Sequence, residues 1–235
     1  MAGLTTGGPN LDVGLLYDIN ALARRAPSAV DRIVGFLGDY GILALLVLLV
    51  LWCCHGARRQ DEATAVDSFA ALTWAPLGAA LALLVNVPLR EFVARPRPFR
   101  RHEGLEVLGT GPTDFSFVSD HAALAMALGV GLFVADRRFG LVAIGLALLE
   151  GLCRVYTGAH YPTDVIGGFA LGTAVVLLLS PAATALLTPL FRAVARSPRA
   201  RLLIRSRRLY LPRPVGLPQQ HTPPGDLSRD KDLAA

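Results

Sequence analysis

Charge is what this 235-residue chain has least of. Charged side chains make up 17% of it and hydrophobic ones 53%, whereas an ordinary soluble domain carries about 25% charged residues. Mean hydropathy is +0.47. Two stretches, 68–89 and 165–191, lack charge altogether. Each is long enough to cross a hydrocarbon core, which takes about 20 apolar residues, and too long for a helix buried in a soluble core. Cysteine is also scarce. Cys53, Cys54 and Cys153 sit in apolar surroundings with neither metal spacing nor a disulfide framework, so they are expected to be small buried hydrophobes. The opening residues MAGLTTGGPN have no basic stretch and no early apolar core, so no cleavable signal peptide is expected. Most of the net charge of +5 lies between Arg192 and Lys231. It describes a basic tail and gives no reason to expect a nucleic-acid partner.

The apolar runs predict an all-α integral membrane bundle of about five transmembrane helices. Spans are expected at 41–54, 67–90, 119–136, 139–156 and 164–187, with Pro76 and Gly78 kinking the second. Before them, Leu15, Leu16, Ile19, Leu22 and Ala23 recur at helical spacing and end in Arg24-Arg25. That pattern predicts an N-terminal amphipathic helix lying on the membrane surface over 11–26. A second short segment, 29–37, leads into Gly38-Asp39-Tyr40. Residues 1–191 form the expected membrane-embedded domain. Residues 192–235 form a basic cytoplasmic tail, largely disordered beyond about 212. With five spans, Arg58-Arg59, Arg137-Arg138 and the tail share one side, which the excess of basic residues assigns to the cytoplasm. The outer loop also holds Arg95, Arg97, Arg100 and Arg101, an exception that an anion-binding site would explain.

The few ionisable groups near the spans are functional candidates because the bilayer makes them costly. Arg90 closes the second span and Ser119 opens the third. Arg154 ends the fourth, and His160 and Asp164 bracket the start of the fifth. Alternating spans bring all of these ends to one face. Arg97 and Arg154 can clamp phosphate oxygens with paired donors. Ser119 can donate its hydroxyl, and the amides opening the third helix favour an anion. His160 and Asp164 are four residues apart, so the carboxylate can fix the imidazole tautomer and leave the other nitrogen to attack phosphorus. His121 can protonate the departing oxygen. Alone, a His-x3-Asp pair is more often a hydrogen bond on a helix surface; its company reverses that reading. Glu150, four residues before Arg154, is expected to pair with it. A metal held by Asp120, His121, His160 and Asp164 is the chemical rival, disfavoured by the neighbouring arginines.

The order Arg90-x6-Arg97-Pro98, Ser119-Asp120-His121 and Cys153-Arg154-x5-His160-x3-Asp164 resembles the type 2 phosphatidic acid phosphatase superfamily. Its pattern is Lys-x6-Arg-Pro, Pro-Ser-Gly-His and Ser-Arg-x5-His-x3-Asp. The resemblance implies a metal-independent, cofactor-free phosphatase in which His160 forms a phosphohistidine, Asp164 orients it and His121 is the acid. Arg97, Ser119 and Arg154 would bind phosphate, with Arg90 and Asp120 beside them. Arg90 stands for Lys, Val118 for Pro, Asp120 for Gly and Cys153 for Ser. Ser-Asp-His, Arg97-Pro-Phe, Phe115-Ser-Phe and Ala159-His-Tyr-Pro-Thr-Asp are similar to the bacterial undecaprenyl-diphosphatase branch. This implies a multi-pass protein of the bacterial plasma membrane with its active site on the extracytoplasmic side. Its partners would be the bilayer and a lipid substrate, a polyprenyl diphosphate. The alternatives are a phosphatase of phosphatidate or phosphatidylglycerophosphate-type monoesters, and a transporter or lipid-binding protein with a decayed site. The oligomeric state is left open.

Overall fold

The computed structural model describes residues 10–108 and 115–196, and every regular element among them is a helix. Helix α1 (Leu11–Arg25) is followed by α2 (Ser28–Phe36), one π-helical turn (Leu37–Gly41) and α3 (Ile42–Ala57). Then come α4 (Glu62–Val93), the short α5 (Pro98–Arg101), α6 (Asp120–Ala135), α7 (Arg137–Tyr156) and α8 (Pro162–Arg196). Four helical stretches are long and apolar enough to cross a membrane: Ser28–Ala57, Glu62–Arg101 with its break between α4 and α5, Arg137–Tyr156 and Pro162–Arg196. The chain is a multi-pass membrane protein. Helix α6, with 16 residues, is the short apolar member of the bundle.

The packing explains why α6 can be short. It lies among α4, α7 and α8 and is made largely of small residues. Ala122, Ala123, Ala125, Ala127, Gly129 and Gly131 are all buried. Leucines point the other way: Leu48, Leu84, Leu141, Leu178 and Leu186 are exposed on the outer helices. Lipid is as apolar as leucine, so membrane helices associate where small residues let backbones approach. Gly168 and Gly172 of α8 show the requirement. A Cβ on Gly172 would meet the Ala123 carbonyl oxygen at 2.4 Å, and one on Gly168 would meet that of Ser119 at 2.8 Å. The opening of α6 is therefore clamped to the start of α8.

Two expectations about the helices change. The separate segment 29–37 is the first part of a single helix that continues into α3. One wide turn at Leu37–Gly41 absorbs Gly38-Asp39-Tyr40 without a break. Helix α8 also runs to Arg196, so the expected domain division at 192 falls inside a helix. The rest of the expected tail lies outside the described residues. Helix α4 continues through Pro76 and Pro88, as membrane helices tolerate where neighbours support the backbone. All three cysteines are free thiols; Cys53 and Cys153 are buried and Cys54 is partly so.

Helix α1 packs against α7 and α8. Leu11, Leu15 and Leu22 are exposed, while Leu16 and Ala23 are buried. Leu16 packs with Ala122, Val155, Tyr161 and Val165. Asn20 is fully buried. Its amide nitrogen donates to the carbonyls of Glu106 and Tyr156, both at 2.8 Å, and its oxygen accepts from Glu106 N–H at 2.8 Å. An amphipathic helix read as a membrane-surface element is thus also bolted to the loops at the bundle's end.

Candidate active site

The expected site residues gather at the end of the bundle where α4 and α7 finish and α6 and α8 begin. Ser119 N–H donates to the Asp164 carbonyl at 3.1 Å, and the His160 N–H donates to the Arg154 carbonyl at 3.3 Å. These main-chain bonds place the α6 cap, the α7 end and the α8 start together. Arg58, Arg59, Arg137 and Arg138 flank the helix ends opposite.

The turn that delivers His160 depends on Gly158. Helix α7 ends at Tyr156, and Gly158 takes φ +69, a left-handed conformation that costs other residues about 1–2 kcal/mol. A Cβ there would also meet the Glu106 carbonyl oxygen at 3.0 Å. The chain turns back over its own helix end, with Ala159 and His160 both bonding the Arg154 carbonyl. On the other side, α4 ends in Ala94 at φ 49, and the chain then turns through Arg95-Pro96-Arg97-Pro98 to bring Arg97 inward.

His160 is 3% exposed. Its Nδ1 is 2.9 Å from the Ser116 carbonyl oxygen, and its Nε2 is 3.2 Å from Arg97 Nη1. Arginine has no acceptor and a carbonyl has no proton to give. The two contacts therefore define one form of the ring, neutral, protonated on Nδ1, with its lone pair on Nε2 facing a guanidinium. Burial pushes the His160 pKa below the ordinary histidine value, and the charges of Arg97 and Arg154 push the same way, against the carboxylate of Asp164. Asp164 is fully buried. Its Oδ2 accepts from Tyr161 N–H at 3.0 Å and stands 3.8 Å from His160 Nδ1, within ion-pair range. The hydrogen bond expected from Asp164 to the ring is held by Ser116 instead.

Arg97 is 3% exposed, and it also donates to the Ala159 carbonyl at 3.2 Å. Arg154 is 4% exposed. Its Nη1 donates to Asp39 Oδ1 at 2.7 Å and to the Gly38 carbonyl at 3.2 Å. Its buried Nε has no hydrogen-bond partner among the described residues. The expected Glu150–Arg154 pair does not form. Both Glu150 oxygens are buried without a partner among the described residues, because the guanidinium is drawn past the helix end to a carboxylate and a carbonyl held side by side. Ser119 is fully buried and caps α6, its Oγ accepting from Ala122 N–H at 3.4 Å. That leaves its hydroxyl proton to donate.

Arg90 and Asp120, two of the positions that depart from the superfamily pattern, meet in a salt bridge. Asn86 completes the arrangement: its amide donates to Asp120 Oδ1 at 2.6 Å and to the Val118 carbonyl at 3.0 Å. The two changes thus read as one, a carboxylate added together with a forked cation to hold it. Asp120 and Asp39 have side chains 37% and 40% exposed, and His121 is partly exposed. They mark the more open side of an otherwise closed site. His121 lies within electrostatic reach of Arg154, His160 and Asp39. Among the described residues no three His, Cys, Asp or Glu side chains cluster as metal ligands.

Three contributors escape a reading of the sequence. Asn86 had a signal, a polar amide inside an uncharged apolar run, which in a span is a functional hint. Asp39 was visible only as part of a loop, and the π turn that aims it at Arg154 has no simple sequence code. Ser116 acts through its carbonyl, which no side-chain pattern reveals.

Comparison with known proteins adds three kinds of likeness. The chain is 28% identical over 145 residues to the undecaprenyl-diphosphatase BcrC of Bacillus subtilis, covering 61% of this chain and 70% of that one. It is 31% identical over 174 residues to an undecaprenyl-diphosphatase of Sulfolobus acidocaldarius, covering 71% and 74%. Its fold matches the crystal structure of Aquifex aeolicus LpxE with a TM-score of 0.53 and 22% identity, over 73% of this chain and 95% of that one. The family model of the PAP2 superfamily matches residues 71–195.

Proposed function

This chain belongs to the PAP2 superfamily and is a phosphatase, and from that premise we propose that it removes the terminal phosphate of a polyprenyl diphosphate, undecaprenyl diphosphate foremost, through a phosphohistidine on His160. The observation that carries the reading is the ring of His160. It is neutral, fixed at Nδ1 by a carbonyl, and offers Nε2 beside Arg97.

In the first step Nε2 bonds to the terminal phosphorus. The bond from phosphorus to the bridging oxygen breaks, and the lipid monophosphate leaves. His121, at the α6 opening, protonates that oxygen. Arg97, Arg154 and the Ser119 hydroxyl stabilise the charge gathering on the equatorial oxygens. Arg154 supplies its unpartnered Nε for this. The phosphorylated ring carries positive charge, which the Asp164 carboxylate at 3.8 Å balances. In the second step water attacks phosphorus, His121 takes its proton and the ring departs. Every bond made or broken is served by side chains of this chain, so the reaction is expected to persist in EDTA.

The substrate class rests on a narrower base. Both relatives compared above carry the undecaprenyl-diphosphatase name. Asp120, held by Arg90 and Asn86, is the residue that makes the second motif Ser-Asp-His, the form similar to that branch. Steady-state rates on purified protein with undecaprenyl diphosphate, phosphatidate and phosphatidylglycerophosphate check this. The diphosphate is expected to show the highest kcat/KM, and a preference for either monoester would replace it.

The site would face the extracytoplasmic side of a bacterial plasma membrane. Support comes from the paired arginines at 58–59 and 137–138 at the opposite helix ends. Glu103 is exposed on the site side. In intact cells Glu103→Cys is expected to react with a membrane-impermeant maleimide, and labelling only after lysis would invert the orientation.

A further inference from the structure

Arg95 fills an unspecified position of the first motif, yet both polar groups that set the His160 ring lead back to it. Its carbonyl accepts from Ser116 N–H at 2.8 Å, and the Ser116 carbonyl in turn receives the His160 Nδ1 proton at 2.9 Å. Its guanidinium takes the other group. Nη1 donates to Asp164 Oδ1 and to Thr163 Oγ1, both at 2.7 Å. The carbon of the same guanidinium lies over the Tyr161 ring, 3.7 Å from its centroid, a cation–π contact.

The hub is anchored from far away in the chain. Arg95 Nη2 donates to Asp12 Oδ2 at 2.5 Å. Asp12, in the first turn of α1, also accepts from Thr163 N–H at 2.9 Å and Thr163 Oγ1 at 2.7 Å. One guanidinium thus joins two carboxylates, one fully buried and one on a surface helix. Burial would raise the Asp12 carboxyl, but hydrogen bonds from Arg95 and Thr163 outweigh it and hold its pKa below the usual value.

We infer that Arg95 is a positioning residue for His160, and that Asp12, by holding Arg95, makes the N-terminal helix a working part of the phosphoryl-transfer site. The inference rests on the reading of His160 as nucleophile. With Arg95 in place, Asp164 stays 3.8 Å from Nδ1, near enough to balance the phosphorylated ring and too far to displace Ser116. Without it, the buried Asp164 carboxylate loses its cation and turns to Nδ1–H, 3.8 Å away. The ring then shifts, and Nε2 leaves the line of attack.

The test uses full-length protein in detergent or nanodiscs, comparing Arg95→Gln, Arg95→Lys, Asp12→Asn and the double variant Asp12→Asn/Arg95→Gln. Arg95→Gln is expected to lower kcat by about 100-fold, the scale of an ångström's misplacement, with KM within about threefold. The acid limb of the pH–rate profile should move to higher pH. The groups facing the ring are Arg97, Arg154, His121 and Asp164, and only Asp164 is released to stabilise the protonated form. Arg95→Lys should recover part of kcat, and Asp12→Asn should lower it about tenfold with the same shift of limb. The double variant should be no worse than Arg95→Gln alone, because Asp12 acts through Arg95. Unchanged kcat in Arg95→Gln overturns the inference, as does a loss with the acid limb unmoved, or additive losses in the double variant. Should Arg95→Gln fail to fold, Arg95→Lys and Asp12→Asn carry the same tests. The nucleophile reading is separable: if His160→Asn abolishes the phosphoenzyme while these variants behave as wild type, only the role of Arg95 falls.

Discussion

His160→Asn should reduce turnover by about 10⁴-fold or more, the scale of losing a nucleophile that acts within a set, while the protein stays folded. Asparagine suits the test because its amide can still donate to the Ser116 carbonyl that His160 Nδ1 now meets at 2.9 Å. What it removes is Nε2. Rapid quenching with phosphorus-labelled substrate should trap an acid-labile, base-stable phosphoenzyme in the wild type and none in the variant. Residual turnover above about 1% with a trapped phosphoenzyme would move the covalent step to another residue.

The same ring sets the pH dependence. The nucleophile must be unprotonated, so activity rises with pH through the pKa of His160. Its burial and the two arginines place that value below the ordinary 6.5. The midpoint of the acid limb is therefore expected below pH 6.5. In a family where the imidazole was solvated, the decline would begin earlier.

The apolar helical character and the convergence of Arg97, Ser119, Arg154, His160 and Asp164 were legible because both follow from arithmetic. Uncharged runs mark the apolar helices, of which four are long enough to cross a membrane while α6 is shorter than the span expected at its place, and alternation sends every second helix end to one face. The motif spacing then identifies the neighbours. What stayed hidden depends on where a side chain's second choice lies. Glu150 and Arg154 satisfy the rule for pairing along a helix, yet the guanidinium goes to Asp39 and Gly38, contributed by a π turn 115 residues earlier in the chain. Asp120 could be seen as an added carboxylate, but Asn86 and Arg90, which hold it, lie 34 and 30 positions away. Asp12 lies on the helix predicted over 11–26 and belongs to no motif. Its contact with Thr163 spans 151 positions, and no local pattern encodes that.

Arg97→Lys and Arg97→Ala separate charge from geometry. Arg97 uses one nitrogen, Nη1, to meet both the Ala159 carbonyl and His160 Nε2. It is nearly water-free, so its donors are fixed before substrate arrives, which is the condition under which an electrostatic contact counts most. Alanine removes charge and donors and should cost about 10³-fold in kcat/KM. Lysine keeps the charge on a single point and loses the planar fork, and should still cost about 10²-fold. The pH profile divides them further. The positive charge of Arg97 is one of the causes that hold the His160 pKa down, so alanine should move the acid limb of kcat/KM to higher pH, whereas lysine should leave it nearly in place. A lysine variant with wild-type rates would mean that charge alone suffices and the forked geometry is idle. An alanine variant with an unmoved limb would mean that Arg97 does not face the imidazole in the working enzyme, and the attack geometry at Nε2 would have to be rebuilt around Arg154.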